Sequence, residues 1–128
     1  MIIREMPPEF DLGRLSDFDV SFTPERIYRV LINEMSVEIG EEKLAAPLHK
    51  TYSFELIKQD IAKADFAVTA EVEEIIAGFA TVMIEEWNNR AVLTGIFVTP
   101  EAKGKGIGRA LINAAVEYAK TKSARCLF

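Results

Sequence analysis

The residues best suited to chemistry lie in one run, Phe97-Val98-Thr99-Pro100-Glu101-Ala102-Lys103-Gly104-Lys105-Gly106-Ile107-Gly108-Arg109-Ala110-Leu111. Glycines at 104, 106 and 108 let the main chain approach a ligand without interference from a Cβ. Successive N–H groups at the head of a helix can then converge on phosphate oxygens. Lys103, Lys105 and Arg109 add positive charge at the same place, so the run points to an anion. A competing reading keeps the glycines for a sharp strand-to-helix turn and nothing more. The spacing is neither the Gly-x-Gly-x-x-Gly of a dinucleotide-binding βαβ unit nor the Gly-Lys-Ser/Thr of a Walker loop.

Scarcity excludes other chemistries. His49 is the only histidine and Cys126 the only cysteine, so no zinc site, Ser/His or Cys/His triad, or internal disulfide can be assembled. A formal net charge of −5 argues against a partner held by its phosphate backbone and leaves nucleic acid out. The same acidity fits a cationic small substrate, and equally the ordinary solubility of a globular protein. Met1-Ile2-Ile3-Arg4-Glu5 lacks the layout of a signal peptide, and no apolar run reaches the ~20 residues that span a bilayer. The chain therefore reads as cytoplasmic, with no membrane partner.

At 128 residues, with 49% hydrophobic and 27% charged, the chain suits one domain over 1–128. Ile2 to Met6 reads as a short strand closed by Pro7-Pro8, followed by a polar, irregular stretch through Asp19. Arg26 to Asn33 and Met35 to Leu44 read as extended segments, and Ser53 as the cap of a short helix through Ala64. Phe66 to Glu71, Ile75 to Ile84 and Ala91 to Val98 read as an antiparallel meander, with turns at Glu73-Glu74 and Trp87-Asn88-Asn89. After Pro100 the periodicity changes: Ile107, Leu111, Ala114, Ala115, Tyr118 and Ala119 share one helical face, with Lys120 and Lys122 at the C-terminal end. Arg125-Cys126-Leu127-Phe128 looks like the opening of a further strand.

The glycine run resembles the acetyl-CoA motif of the GCN5-related N-acetyltransferases (GNAT), Arg/Gln-x-x-Gly-x-Gly/Ala, with Lys103 in the first position and Gly106 and Gly108 in the others. Lysine there is a departure. The flanking Val98-Thr99-Pro100-Glu101 and Arg109-Ala110-Leu111 also match the family's surroundings. The resemblance implies an α/β (α+β) fold, a mixed, mostly antiparallel sheet with flanking helices. It also implies acetyl-CoA as co-substrate, no metal, and a small-molecule primary amine as acceptor. A splayed strand from Thr94 to Val98 would bind the pantetheine arm through Ile96, Phe97 and Val98. The pyrophosphate would sit on Lys103, Gly104, Lys105, Gly106, Ile107, Gly108 and Arg109.

A narrower resemblance, to the streptothricin acetyltransferase branch, rests on Asp19-Val20-Ser21-Phe22-Thr23, Tyr28-Arg29-Val30, Pro47-Leu48-His49-Lys50 and Trp87-Asn88-Asn89-Arg90. It implies an antibiotic amine as acceptor and Tyr28, Trp87 and Asn88 as contacts to it. Trp87 at a strand turn also reads as a packing or surface aromatic.

The catalytic residues stay unknown. Relatives in that branch place carboxylates where this chain has Thr94-Gly95. Glu85 and Glu86 are the nearest substitutes, or simply a solvated edge. The family pattern normally continues past Phe128, so the resemblance further implies a domain incomplete at its C-terminus, and Tyr118 belongs to the core rather than to the family's thiolate-protonating position. An exposed edge at Arg125 predicts a homodimer or intertwined oligomer. The competing function is an acetyl-CoA-binding module, or a weakly active fragment that associates through its incomplete sheet.

Overall fold

A computed structural model describes residues 1–128 other than Asp19 and Phe22. The chain divides into two compact units, Met1–Val20 with Ser53–Phe128, and Ser21–Tyr52.

The larger unit is built on a four-stranded antiparallel sheet in the order β1-β4-β5-β6, where β1 is Ile2–Glu5, β4 Phe66–Val72, β5 Ile75–Glu85 and β6 Arg90–Val98. The β4–β5 link is a two-residue turn with both Glu73 and Glu74 at positive φ, as a tight hairpin twisted like its strands demands. One sheet face is covered by helix α2, Ile107–Thr121, through the buried stripe Ile107, Leu111, Ala115 and Ala119. The sheet meets this helix with small residues, Ala70, Ala77, Ala80 and Ala91 among them, so helix and sheet approach closely. Gly78 is the tightest point, because a Cβ there would lie 2.8 Å from the Phe97 carbonyl oxygen and 3.1 Å from both Ile107 and Leu111.

The other face is covered by helix α1, Phe54–Lys63, whose N-terminus is capped by Ser53 accepting from the Leu56 N–H at 3.2 Å. Ile57 from α1 joins Leu15, Ile76 and Phe79 in a second core cluster. Here the structure corrects the reading of the stretch after Pro7-Pro8 as polar and irregular, of which Asp19 lies outside the described residues. Asp11 accepts from the Gly13 N–H and caps a 3-10 turn, Leu12–Leu15, that buries Leu15 to 1% exposure with Phe10, Leu12 and Phe18 packed beside it. Aromatic and leucine side chains at irregular spacing made this part of the core without any periodic signal.

Arg125–Phe128 runs parallel to the first half of β6. Arg125 N–H donates to Asn89 O, Ala91 N–H to Cys126 O, Phe128 N–H to Ala91 O and Leu93 N–H to Phe128 O, at 2.8–2.9 Å.

The smaller unit is a hairpin of β2, Arg26–Ile32, and β3, Val37–Lys43. Its turn is held by Asn33, whose side-chain oxygen accepts from the N–H groups of Met35 and Ser36. Arg26–Glu41 and Arg29–Glu42 ion pairs bridge the two strands.

Candidate functional site

The site begins with one extra residue in β6. The β5–β6 register pairs Thr81 with Gly95 but Val82 with Leu93, which leaves Thr94 as a bulge. A bulge reverses which backbone groups face which neighbour. Before it, Ala91 and Leu93 point their N–H groups away from β5, and Cys126 and Phe128 accept them. Beyond it, Thr99 N–H donates to Ala77 O, so Gly95 and Phe97 face β5 in the same phase. Ile96 and Val98 therefore turn their N–H and C=O groups to the outer edge of the sheet, where no strand pairs with them among the described residues. Of the three strand residues expected to hold a ligand, two offer backbone groups outward and Phe97 turns its own toward β5. The Phe97 ring stacks on Phe79 at 4.9 Å.

The end of this half-open strand feeds a 3-10 turn, Pro100–Ala102, and then the glycine bend. Gly104 at φ 78° and Gly106 at φ 82° occupy the left-handed region, and Gly106 is the N-cap of α2. No side chain caps that helix terminus, so its first N–H groups are left for solvent or a ligand. A Cβ at 104, 106 or 108 would meet nothing within 4 Å, so the outer surface of the bend is open. Lys103, Lys105 and Arg109 are exposed around it, and among the described residues none is tied up in an ion pair. Ile107 is buried and anchors the bend to the sheet beside Gly78. Gly78 is a positioning residue that sequence reasoning missed, because a glycine in a strand carries no sign of what packs above it.

Two of the three residues linked to an acceptor lie away from the bend. Trp87 and Asn88 lie in the 3-10 turn Glu86–Asn88 before β6, and eight residues of strand separate that turn from Val98, roughly 26 Å at about 3.3 Å per residue. Trp87 is 82% exposed. Tyr28 belongs to the smaller unit, exposed on the hairpin face that alternation gives also to Val30, Ile32, Val37 and Ile39. Thr23 and His49 share a hydrogen bond at 3.3 Å in that unit, while Asp19 and Phe22 of the same stretch of resemblance lie outside the described residues.

The two candidate substitutes for a missing carboxylate are no better placed. Glu85 accepts a hydrogen bond from Arg90, which holds its carboxyl below the usual value and makes it a poorer base. Glu86 is exposed in the same far turn. Tyr118 stacks on Phe66 with ring centres 4.4 Å apart and donates to Asp65 O at 3.4 Å. Burial, reinforced by the Asp65 and Glu5 charges, pushes its phenol up, as suits a packing residue. A groove of about 450 Å³ lined by Met6, Phe10, Ile61 and Phe66 opens at the β1 edge, the opposite side of the sheet from β6.

The model of the Acetyltransferase (GNAT) family matches residues 26–128. Streptothricin acetyltransferase of Streptomyces lavendulae is 29% identical over 121 residues, covering 89% of this chain and 64% of that protein. The chain thus spans less than two thirds of that relative's length. The crystal structure of nourseothricin acetyltransferase superposes with a TM-score of 0.78 at 29% identity, covering 96% of this chain and 68% of the other. A structure from Bacillus anthracis str. Ames, solved in complex with acetyl coenzyme A, reaches a TM-score of 0.71 at 22% identity, a likeness of fold alone, covering 96% and 70% of the two chains.

Proposed function

The chain belongs to the acetyltransferase (GNAT) family, and from that premise we propose that it moves the acetyl group of acetyl-CoA to a primary amine of a small, streptothricin-like antibiotic. The diphosphate of the co-substrate lies on the N–H groups of Gly104 to Gly108 and the head of α2, flanked by Lys103, Lys105 and Arg109. The pantetheine arm runs along Ile96, Phe97 and Val98, its amides bonding to the outward groups of Ile96 and Val98. The amine attacks the thioester carbonyl directly, and the protein's part is to hold the two reactants in register.

Gly108 is the observation that carries this reading. Gly104 and Gly106 are explained by their positive φ whatever the loop does, but Gly108 lies inside α2, lacks a positive φ and would bring a Cβ into open space. A helical glycine forgoes about 1 kcal/mol relative to alanine, and nothing within the fold calls for one here. A ligand pressed against the backbone accounts for it. Gly108→Ala should therefore raise the melting temperature and weaken acetyl-CoA binding at once. A stabilised variant with unchanged affinity by calorimetry would put the ligand elsewhere.

The acceptor class is supported by the names of the 29%-identical relatives. Trp87 and Asn88, at the far end of β6, would serve only an extended acceptor. The reading includes a cytoplasmic homodimer, tested by sedimentation at micromolar concentration.

A second reading, a module that binds acetyl-CoA without turnover, is favoured by the bulge itself, where Thr94 and Gly95 supply no carboxylate. Release of free thiol from acetyl-CoA in the presence of a streptothricin separates the two.

A further inference from the structure

The bulge carries a hydroxyl pair with a defined polarity. Thr81 is 1% exposed, Thr94 is exposed, and their Oγ1 atoms are 2.9 Å apart. Thr94 Oγ1 also lies 3.1 Å from the Thr81 carbonyl oxygen and donates to it. A carbonyl only accepts, so the Thr94 proton is committed there, and the Thr81 hydroxyl donates to Thr94 Oγ1 in turn. The Thr94 oxygen is left with no proton to give and a lone pair toward solvent. Beside it Gly95 presents no side chain, and a Cβ there would lie 3.0 Å from the Phe97 ring and 3.1 Å from Thr81 Oγ1. Glycine is therefore required beside the pair, because the Phe97 ring and Thr81 already fill the space a side chain would take where β6 turns from closed to open edge.

We propose that Thr94 Oγ1 is the hydrogen-bond acceptor that orients the attacking amine of the acyl acceptor. The inference rests on the acetyl-transfer reading above. Thr94 accepts one N–H of the neutral amine, which aims the nitrogen lone pair at the thioester carbonyl carbon. The C–N bond forms, the C–S bond breaks, and sulfur leaves as thiolate. The surplus proton on nitrogen passes to water and the thiolate takes one from water. Threonine exchanges no proton, which suits a bulge that holds no carboxylate. Because the oxygen can only accept, it selects acceptors that bring an N–H and disfavours a group that brings only lone pairs.

The test compares wild type, Thr94→Val and Thr94→Ser in three measurements: acetyl-CoA affinity by calorimetry, melting temperature, and kcat/KM for a streptothricin by thiol release. Thr94→Val should lose about tenfold in kcat/KM, the scale of one hydrogen bond made at the reacting group. Its acetyl-CoA affinity should stay within about twofold, while its melting temperature should fall modestly because the buried Thr81 hydroxyl loses its acceptor. Thr94→Ser, which keeps the oxygen, should recover most of the rate. A Val variant as fast as wild type overturns the inference and leaves the acetyl-transfer reading standing. So does a Val variant whose rate, acetyl-CoA affinity and melting temperature fall together, since that describes a brace for the bulge. A wild type that binds acetyl-CoA but transfers nothing removes the inference and leaves a binding module, and one that binds no acetyl-CoA removes both.

Discussion

The two halves of β6 have the same strand character and opposite fates. From Arg90 to Leu93 the strand is bonded on both sides, to β5 and to Arg125–Phe128. From Gly95 to Val98 it is bonded to β5 alone, and among the described residues no strand pairs with the outward backbone groups of Ile96 and Val98. One inserted residue, Thr94, separates these states. A completed ladder contributes only stability. An interrupted one keeps directional, obligatory hydrogen-bonding groups available for a ligand with amides of its own.

Substitutions should therefore sort by half, and the largest effect belongs at the open end. Gly106→Val forces a β-branched side chain into the left-handed region, at about 1–2 kcal/mol of strain, and fills the space over the bend. Acetyl-CoA affinity measured by calorimetry should fall on the order of a hundredfold, strain alone accounting for about tenfold. Gly78→Ala should come next. Its Cβ meets a backbone oxygen at 2.8 Å and both anchors of α2, so the helix head must lift. The expected loss is about 1–3 kcal/mol of stability, as for an overpacked core. The rise in melting temperature that acetyl-CoA confers should shrink as well. In the closed half, Leu127→Ala removes a half-buried side chain from the cluster around Val82 and Ala91. About 1–2 kcal/mol of stability should be lost with acetyl-CoA affinity unchanged. An affinity that fell in step would merge the two halves and remove the contrast.

How much of this could be read beforehand follows from the same physics. Helix α2 and the strands β4 to β6 were legible because their apolar residues repeat at 3.6 or 2, and the glycine bend because positive φ and chain reversal leave a residue-type trace. The segment around Leu15 was not, since Phe10, Leu12, Leu15 and Phe18 obey neither period yet still reach the core. The bulge left no trace either. An extra residue shifts register by one without altering composition, and Thr94-Gly95 reads equally well as uninterrupted strand.

Smaller effects sharpen the contrast through charge. Lys105 is exposed and in no ion pair among the described residues, so Lys105→Ala should weaken acetyl-CoA only a few-fold, less still as salt shortens the screening length below about 8 Å. Equal losses at low and high salt would mean that its side chain packs against the ligand instead of attracting it.

The smallest effect belongs to the closed half, where Arg90 holds the Glu85 carboxyl below its ordinary value. A carboxyl lowered on folding adds stability that is complete above its unfolded pKa, near 4.5, and that disappears as pH falls through the lowered folded value. Glu85→Gln should thus be slightly less stable than wild type in denaturant titrations at about pH 6. The gap should close on acidification, where the wild-type carboxyl is protonated in both states. The pair is solvent-exposed, so the difference should be small and screened by salt. Acetyl-CoA affinity should be identical in the two proteins at every pH, because Glu85, at the end of β5, lies beside the end of β6 away from the proposed ligand path. A pH-dependent difference in affinity would show the closed end of the strand taking part in binding after all.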